Sequence, residues 1–207
     1  MKLSILICAI PERLAQLSKL LEKLNRQQTS EFSHLVEVLC LLDNKKRSIA
    51  EKRNNLKQMA NGDYLCYLDD DDDVADTYLQ TLVANIKLSD GVDCITFKQK
   101  CLIDGRKLNV SFGLGNPHEG LVLDDTNNYR PILRPPYHMC LYKSDFAKRI
   151  DFRQIYNNSG QSVEDIDWLL RLYPLLRTEH HIPEYLHFYN YDSNKSSSRR
   201  ENNSINQ

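Results

Sequence analysis

Short apolar segments alternate with amphipathic ones through the first ninety residues. Residues 3–10, 35–42 and 64–68 are nearly continuous apolar or aromatic runs with the length of buried strands. After the first run, leucines recur at helical spacing at positions 14, 17, 20, 21 and 24. Further helical segments follow the second and third runs. This β-α-β-α-β-α order predicts a parallel sheet with helices packed on it.

Local signals set the ends of these helices. Ser48 with Glu51 three residues later forms a capping-box pattern, which predicts a helix from there to Ala60. Asn61-Gly62 reads as its C-terminal cap. The next helix is predicted over residues 76–88.

The second half of the chain is less regular. It predicts a hairpin over residues 94–103 and 108–112 with its turn at Asp104-Gly105, then a strand at 138–142 and a helix at 144–150. A helix containing Trp168 opens near Ser162, and a strand covers 185–191. Residues 1–192 are therefore predicted to form one catalytic domain, and the Ser-, Asn- and Arg-rich residues 193–207 a flexible tail.

Composition narrows the classes of partner. The 207 residues carry a net charge of −1, so there is no overall basic field to attract nucleic acid or an anionic membrane. The six cysteines form no C-x-x-C pair and lie mostly in apolar runs, which indicates buried thiols in a reducing, cytoplasmic setting. No apolar run approaches ~18 residues, so we expect no transmembrane segment, although peripheral membrane contact stays open.

Five consecutive aspartates, Asp69 to Asp73, follow the third strand directly. Two carboxylates ~4 Å apart repel by roughly 4 kcal/mol at an effective dielectric near 20, so a fold that gathers several of them needs a cation. Oxygen ligands of this kind suit Mn²⁺ or Mg²⁺, which commonly bind one or two carboxylates together with substrate phosphates. Ligands of open α/β sheets bind at the carboxyl ends of strands. The pattern predicts a metal–diphosphate site here, with a solvated acidic turn as the alternative.

The order of several motifs resembles the GT-A glycosyltransferases of the family 2 type, over about residues 3–195. The stretches that carry the resemblance are Leu41-Leu42-Asp43-Asn44, Glu51-Lys52-Arg53-Asn54, Gly62-Asp63-Tyr64, Leu68-Asp69-Asp70-Asp71-Asp72 and Glu164-Asp165. The resemblance implies an α/β GT-A fold, Rossmann-like, with a mostly parallel central sheet flanked by helices. It also implies inverting transfer of a sugar from a nucleotide-diphosphate sugar to an acceptor hydroxyl, with Mn²⁺ or Mg²⁺ as cofactor.

The resemblance also implies roles for the donor-side residues. Asp71 would ligate the metal, and Asp69 would face the ribose or the metal and its bound water. Asp43 would hold the base of the nucleotide, and Arg53 would contact the nucleotide or pair with the aspartates. The five-residue run leaves the register open by one, so Asp70 is a further candidate contact for the nucleotide sugar, and Asp73 could take part of this work.

Inversion requires a general base that takes the proton of the acceptor hydroxyl. The resemblance implies Asp165 in this role, with Glu164 positioning the acceptor or ordering the loop. If Ser162 caps the helix, Asp165 lies in its first turn, where the helix dipole favours an ionised carboxylate. Ser-x-x-Asp is also an ordinary capping pattern, and that alternative stays open.

Three further residues are weaker candidates. Arg13 follows the first strand and is a candidate for the diphosphate, although this loop departs from the family's usual Pro-Thr-Tyr-Asn. His187, on the late strand, is a candidate third metal ligand, because some GT-A enzymes complete the metal shell with a C-terminal histidine. His138 is a candidate for the acceptor side. A lone histidine in a strand is more often structural.

Two other classes of function stay open. Asp70-Asp71-Asp72-Asp73-Val74 contains the D-x-D-x-V pattern of haloacid-dehalogenase-like phosphatases, although that motif usually lies on the first strand. A non-catalytic nucleotide-sugar-binding module is the other alternative. An EF-hand is excluded, because the sixth residue from Asp69 is Val74 and not glycine. The acceptor is left as a glycan, a lipid-linked sugar, a protein or a modified nucleobase.

Overall fold

Three parallel strands form the part of the sheet that the sequence predicts most clearly. The computed structural model describes residues 1–120, 126, 130 and 132–192. In it, β1 (Leu3–Ala9) lies between β2 (Val36–Leu42) and β3 (Tyr64–Asp69) and pairs in parallel with both. All seven residues of β1 are buried, as expected for a central strand. The carboxyl ends of these strands therefore share one edge of the sheet.

Helices connect these strands as predicted. They are α1 (Leu14–Gln27), α2 (Ile49–Met59) and α3 (Tyr78–Leu88). The buried leucines of α1 are Leu17, Leu20 and Leu24, at helical spacing. The predicted cap of α2 is confirmed, because the Ser48 hydroxyl oxygen accepts a hydrogen bond from the Glu51 amide at 3.2 Å.

α2 ends close to the predicted Ala60, but Asn61-Gly62 is not its C-terminal cap. The C-cap is Ala60, in extended backbone, and Gly62 lies beyond the helix. A Cβ atom on Gly62 would lie 2.6 Å from the backbone nitrogen of Ser4, on β1. The Gly62 amide also donates to the Ser4 hydroxyl oxygen at 2.7 Å. Glycine is needed there because the segment that connects α2 to β3 passes in close contact with β1.

The second half extends the sheet with mixed pairing. Its elements are β4 (Asp73–Val74), β5 (Cys94–Ile103), β6 (Arg106–Phe112), β7 (Ile132–Arg134), β8 (Leu141–Lys143), α4 (Ser144–Ala147), α5 (Glu164–Leu172) and β9 (Glu179–Tyr191). The strand order is β2-β1-β3-β8-β5-β6-β7, with β9 paired to both β5 and β4. β8 is antiparallel to both its neighbours, so the purely parallel part of the sheet ends at β3.

The hairpin of β5 and β6 turns at Asp104-Gly105 as predicted, with positive φ at both residues. Other boundaries differ from the predictions. The strand predicted over 138–142 is confined to β8, the helix predicted over 144–150 ends at Ala147, and β9 begins six residues before the predicted Tyr185. β9 is longer because it follows β5 in parallel from Glu179 onward.

An aromatic cluster fixes α5 against the sheet. Trp168 of α5 is fully buried, stacks on Phe152 at 4.6 Å between ring centroids, and meets the rings of Tyr67 and Tyr142 edge-on. Its indole N–H donates to the carbonyl of Ile150 at 2.9 Å. Trp168 is thus a core residue, and it anchors the first turn of α5 near the end of β3.

Five of the six cysteines are buried, as predicted, and Cys40 is exposed on β2. Among the described residues no helix has the length and apolar character needed to cross a bilayer. The tail predicted over 193–207 lies outside the described residues.

Candidate active site

The aspartates after β3 form a tight turn. The Asp72 amide donates to the carbonyl of Asp69 at 3.1 Å, and the Asp69 amide donates to Oδ2 of Asp72 at 3.0 Å. Asp72 is therefore used to close the turn, and Asp69, Asp70 and Asp71 carry the carboxylates available around it.

Arg13 connects the first loop to this turn. Its Nη1 lies 2.9 Å from Oδ1 of Asp70 and 3.0 Å from Oδ1 of Asp71. Asp70 is buried, and its Oδ2 accepts the amide of Ile10 at 2.9 Å. Asp70 thus fastens the loop after β1 to the turn. Asp71 keeps about a third of its side chain exposed.

The surroundings of Asp71 contain more negative than positive charge. Burial raises the pKa of its carboxyl to about 7, the neighbouring carboxylates of Asp69, Asp72 and Asp70 add to the rise, and the Arg13 guanidinium opposes it. A carboxyl held in this state gains from a further cation placed beside it.

The inner face of α2 is cationic rather than apolar. Lys52, Arg53 and Lys57 are all buried, and each anchors a different element. Lys52 Nζ lies 2.5 Å from Asp43 and 2.8 Å from the carbonyl oxygen of Ala9. Lys57 Nζ lies 2.7 Å from the carbonyl oxygen of Ile150. α2 therefore ties the ends of β1 and β2 to the segment that precedes α5.

Arg53 is the centre of this arrangement. Its Nη1 lies 2.9 Å from Oε1 of Glu164 and its Nη2 lies 3.2 Å from Oδ1 of Asp69. The guanidinium also faces the rings of Tyr67 and Phe152 at 5.8 and 5.4 Å. Burial raises the pKa of Asp69, but the charges of Arg53 and His138 outweigh it and hold that pKa below its usual value.

Ser162 does not cap α5. Val163 occupies the N-cap position, and no side chain caps the helix. The Ser162 hydroxyl donates to Oε2 of Glu164, one residue into α5, and accepts from the side-chain amide of Gln154 at 2.8 Å. Glu164 is thus held by Arg53 and Ser162, while Asp165, the next residue, turns toward His138.

The imidazole of His138 lies between the carboxylates of Asp165 and Asp69. His138 Nδ1 lies 3.3 Å from Oδ2 of Asp165, and His138 Nε2 lies 3.8 Å from Oδ2 of Asp69. Burial raises the pKa of Asp165, but His138 and Arg53 outweigh it and hold that pKa well below the usual value. Asp165 is ionised at neutral pH, the state that a general base requires.

Asp43 lies at the end of the neighbouring strand, β2. Besides Lys52, its carboxylate accepts the backbone amides of Lys45 at 3.2 Å and Arg47 at 2.9 Å. These contacts lower the pKa of Asp43, chiefly through Lys52. The carboxylate is thereby fixed at the strand end, beside the loop that Lys52 ties to β1.

His187 approaches the turn from β9. It is fully buried, with Nε2 2.8 Å from Oδ2 of Asp72 and Nδ1 2.8 Å from the side-chain nitrogen of Gln99. Gln99 Oε1 accepts from the Cys101 thiol at 3.2 Å, so its NH₂ group faces His187. His187 Nε2 therefore donates to Asp72 and braces the turn. Both ring nitrogens are used by protein partners.

The residues present fit a divalent cation only together with a substrate. No group of three or more His, Cys, Asp or Glu side chains in the described part of the chain is arranged to hold a metal. Asp71 and Asp69 offer two hard oxygen ligands, and the pKa of Asp71 is raised by burial and, to a smaller extent, by the neighbouring carboxylates. Two carboxylates completed by substrate phosphates are a common Mg²⁺ arrangement.

A cavity of about 610 Å³ lies elsewhere, between α1 and α3, and none of the predicted site residues lines it. Its lining includes Lys23, Arg26 and Asp76. The converging carboxylates and buried cations are instead gathered at the carboxyl edge of β1, β2 and β3, which is where ligands of such sheets bind.

The strand order, the crossover helices and the acidic turn after β3 define a GT-A-like fold, which confirms the predicted fold class; the sheet itself is mixed rather than mostly parallel. The chain is similar to the crystal structure of S. aureus TarS 1-349 in complex with UDP-GlcNAc, with a TM-score of 0.65 and 16% identity over 97% of this chain and 61% of that one. It is also similar to TarS 1-349 in complex with UDP, with a TM-score of 0.61 and 16% identity over 93% and 61% of the two chains. The chain thus spans about three fifths of the length of TarS 1-349.

A third structure, TarS 1-349, matches with a TM-score of 0.62 and 15% identity over 92% of this chain and 60% of that one. No protein-family model matches the chain, and no curated protein sequence does. At these identities the likeness establishes the fold.

Proposed function

We propose that this protein is a glycosyltransferase that moves a sugar from a nucleotide-diphosphate sugar to an acceptor hydroxyl, with inversion at the anomeric carbon. One observation carries the proposal: within a GT-A-like fold, the acidic turn after β3 and the first turn of α5 are joined by Arg53, with His138 between Asp69 and Asp165. A donor site and a general base side by side are what such a transfer requires.

The donor would lie along the carboxyl edge of the first three strands. Asp43 would meet the base of the nucleotide, and Asp69 and Asp71 would face its ribose and diphosphate. Arg13 carries positive charge at the same edge, where it would offset the charge of the phosphates. TarS has been solved with UDP-GlcNAc and with UDP, which supports a uridine donor as the first one to test.

Asp71 and Asp69 are the residues that would hold Mn²⁺ or Mg²⁺, together with the diphosphate. The cation, when bound, supplies Lewis-acid stabilisation of the leaving nucleoside diphosphate. The role predicted for His187 as a third ligand requires it to exchange Asp72 for the metal. Asp70 acts instead through Arg13 and Ile10, by fixing the loop on which the donor would rest.

Asp165 would be the general base. It takes the proton of the acceptor hydroxyl as that oxygen bonds to the anomeric carbon, and the bond to the diphosphate breaks with its electron pair leaving on the phosphate. Glu164 keeps Arg53 in place beneath this site, since both side chains are buried and in contact. A single displacement of this kind inverts the anomeric configuration.

The test is a panel of nucleotide sugars, beginning with UDP-GlcNAc, incubated with the full chain and Mn²⁺ while release of nucleoside diphosphate is followed. We expect release from at least one donor and its loss in EDTA. Asp165→Asn should retain binding of UDP with Mn²⁺ by calorimetry and lose turnover by ~10²-fold or more. The matched control is Asp167→Asn, since Asp167 is paired to Arg171 on the same helix.

Failure to release nucleotide from any donor while UDP still binds would indicate a non-catalytic binding module. Phosphate release from simple phosphoesters, without sugar transfer, would support the phosphatase alternative. Wild-type turnover in Asp165→Asn would remove that residue from the base role.

A further inference from the structure

His138 is held more firmly than its position outside the strands suggests. It precedes β8, and its carbonyl oxygen accepts the amide of Tyr67, on β3, at 3.1 Å. Two residues later, the amide of Cys140 donates to the carbonyl of Tyr137 at 2.8 Å. The hydroxyl of Tyr142 donates to the same carbonyl at 2.7 Å. The backbone that carries the imidazole is therefore attached to the strand that ends in Asp69.

The ring itself is buried, with 7% of the residue exposed. Its two nitrogens lie within ion-pair distance of Asp165 and Asp69, but neither makes an aligned hydrogen bond within the described structure. Buried polar atoms without a partner are rare, and each costs free energy. Hydrogen bonds of catalytic groups are often long or poorly aligned in unliganded proteins and tighten when substrate binds.

We propose that His138 is a positioning residue for the transfer reaction: its Nδ1–H donates to Oδ2 of Asp165 and fixes that carboxylate for the proton of the acceptor. The inference rests on the proposed function, because it assigns a partner to the proposed base. Asp165 Oδ1 is held by the amide of Ile166 at 2.8 Å, so a contact at Oδ2 orients the carboxylate from its second side.

The same ring also couples the two halves of the site. Nε2 faces Asp69 at the end of β3, while Nδ1 faces Asp165 on α5. A shift of α5 away from β3 would separate Asp165 from the imidazole, because the backbone of His138 is bonded to β3. His138 is among the groups that keep the pKa of Asp165 low despite burial. Loss of the ring therefore removes both the orientation and part of the stabilisation of the ionised base.

The experiment compares His138→Ala, His138→Asn and the matched control His181→Asn. The asparagine amide nitrogen takes roughly the place of Nδ1, so it can still donate to Asp165. His181 is an exposed histidine of β9, and its Nδ1 lies 2.9 Å from the Thr96 hydroxyl oxygen and pairs with neither Asp69 nor Asp165. Each protein is assayed with Mn²⁺ for release of nucleoside diphosphate from the donor that the wild type hydrolyses fastest, with water as acceptor.

We expect His138→Ala to lower kcat by about 10- to 100-fold, within the range of general-base effects, while KM for the donor changes less than about threefold. His138→Asn should recover most of the lost kcat, and His181→Asn should behave as the wild type. Rescue of kcat by Asn with an unchanged KM is the expected signature of positioning, because the amide of Asn can still donate to Asp165.

An unchanged kcat in His138→Ala would overturn the inference, as would a rise in KM alone or equal losses in the Ala and Asn variants. If His138→Ala does not fold by circular dichroism, the Asn variant decides, with full or near-full kcat supporting the role and a loss as large as that of Asp165→Asn refuting it. A wild type that hydrolyses no donor overturns the proposed function, and the role of His138 with it. A wild type that does, beside an equally active His138→Ala, overturns the role of His138 alone.

Discussion

Replacing Arg53 with methionine removes the guanidinium that bridges Glu164 and Asp69 beneath the site. Methionine keeps much of the aliphatic stem, so the packing against Tyr67 and Phe152 is largely retained. The two carboxylates, however, lose their shared cation in a region from which water is mostly excluded. The substitution therefore tests the electrostatic part of the arrangement rather than its volume.

The magnitude follows from the exposure of the three side chains. Arg53 is 3% exposed and Glu164 is 7% exposed, and their charged atoms lie 2.9 Å apart. Removing one partner of a buried pair of this kind costs about 3–5 kcal/mol. Asp69 is 35% exposed, so its pair with Arg53 is screened by water and adds at most ~1 kcal/mol. We expect Arg53→Met to lower the free energy of unfolding by ~3–5 kcal/mol at neutral pH.

The loss should depend on pH with a defined sign. The folded-state pKa of Asp69 is below its unfolded value, with Arg53 the main cause of the depression once burial is overcome. Stability from this group is present above the unfolded pKa of ~3.9 and is lost as pH falls through the folded value. Without Arg53 the pKa of Asp69 rises, so the difference between wild type and variant should shrink as pH falls below ~4.

Urea unfolding in EDTA, followed by circular dichroism, measures the effect. With a slope of about 2–3 kcal/mol per molar urea, the midpoint should fall by roughly 1.5 M. The control is Arg47→Met, whose guanidinium is 46% exposed and pairs with Asp43 and Glu51 at 3.6 and 3.7 Å. It should lose no more than ~1 kcal/mol. A loss below ~1 kcal/mol in Arg53→Met would refute the claim that the pair is buried and energetically coupled.

Two further predictions concern the turn and the entry to β3. Asp71→Ala should weaken calorimetric binding of UDP with Mn²⁺ by at least about tenfold, because it removes a proposed metal ligand. Asp73→Ala, at a half-exposed residue paired to a lysine, should bind as the wild type, and unchanged affinity in Asp71→Ala would exclude Asp71 from the site. Gly62→Ala should lower the free energy of unfolding by ~1–3 kcal/mol, because the added Cβ would lie 2.6 Å from the Ser4 nitrogen. The control is Gly120→Ala, which should be near neutral because an added Cβ there meets nothing within 4 Å. Equal urea midpoints for the two variants would contradict the close approach at Gly62.

The first half of the fold could be predicted because its signals are local. A buried parallel strand needs only a continuous apolar run, and the helices between such strands reveal themselves by leucine spacing. In the second half the ends of the strands and helices were mispredicted, because strand pairing there depends on partners that are distant in sequence. β9 starts at Glu179, in a polar stretch, because β5 lies beside it. The sequence of residues 179–184 carries no pattern that predicts this pairing with β5.

The buried cationic face of α2 was not predicted, for a related reason. Arg53 was found through the resemblance, whereas no role was predicted for Lys52 or Lys57. A signal did exist: Ile49, Ala50 and Leu56 are too few to cover the buried side of an eleven-residue helix, so that face had to include long charged side chains. The partners of Lys57 and the Glu164 partner of Arg53 lie more than ninety residues away, and spacing alone does not encode such contacts.

Buried charge and the proposed catalysis are linked at this edge of the sheet. A double variant, Arg53→Met with Glu164→Leu, should recover most of the stability lost in Arg53→Met, since a buried ion pair replaced by apolar groups is often near neutral. Such a replacement would leave Asp69 and Asp165 without the cation that helps keep both ionised. The pair between Arg53 and Glu164 thus contributes little that apolar packing could not supply to the fold. Its specific effect is on the charge state and alignment of the carboxylates above it, which is why a stable double variant should still turn over poorly.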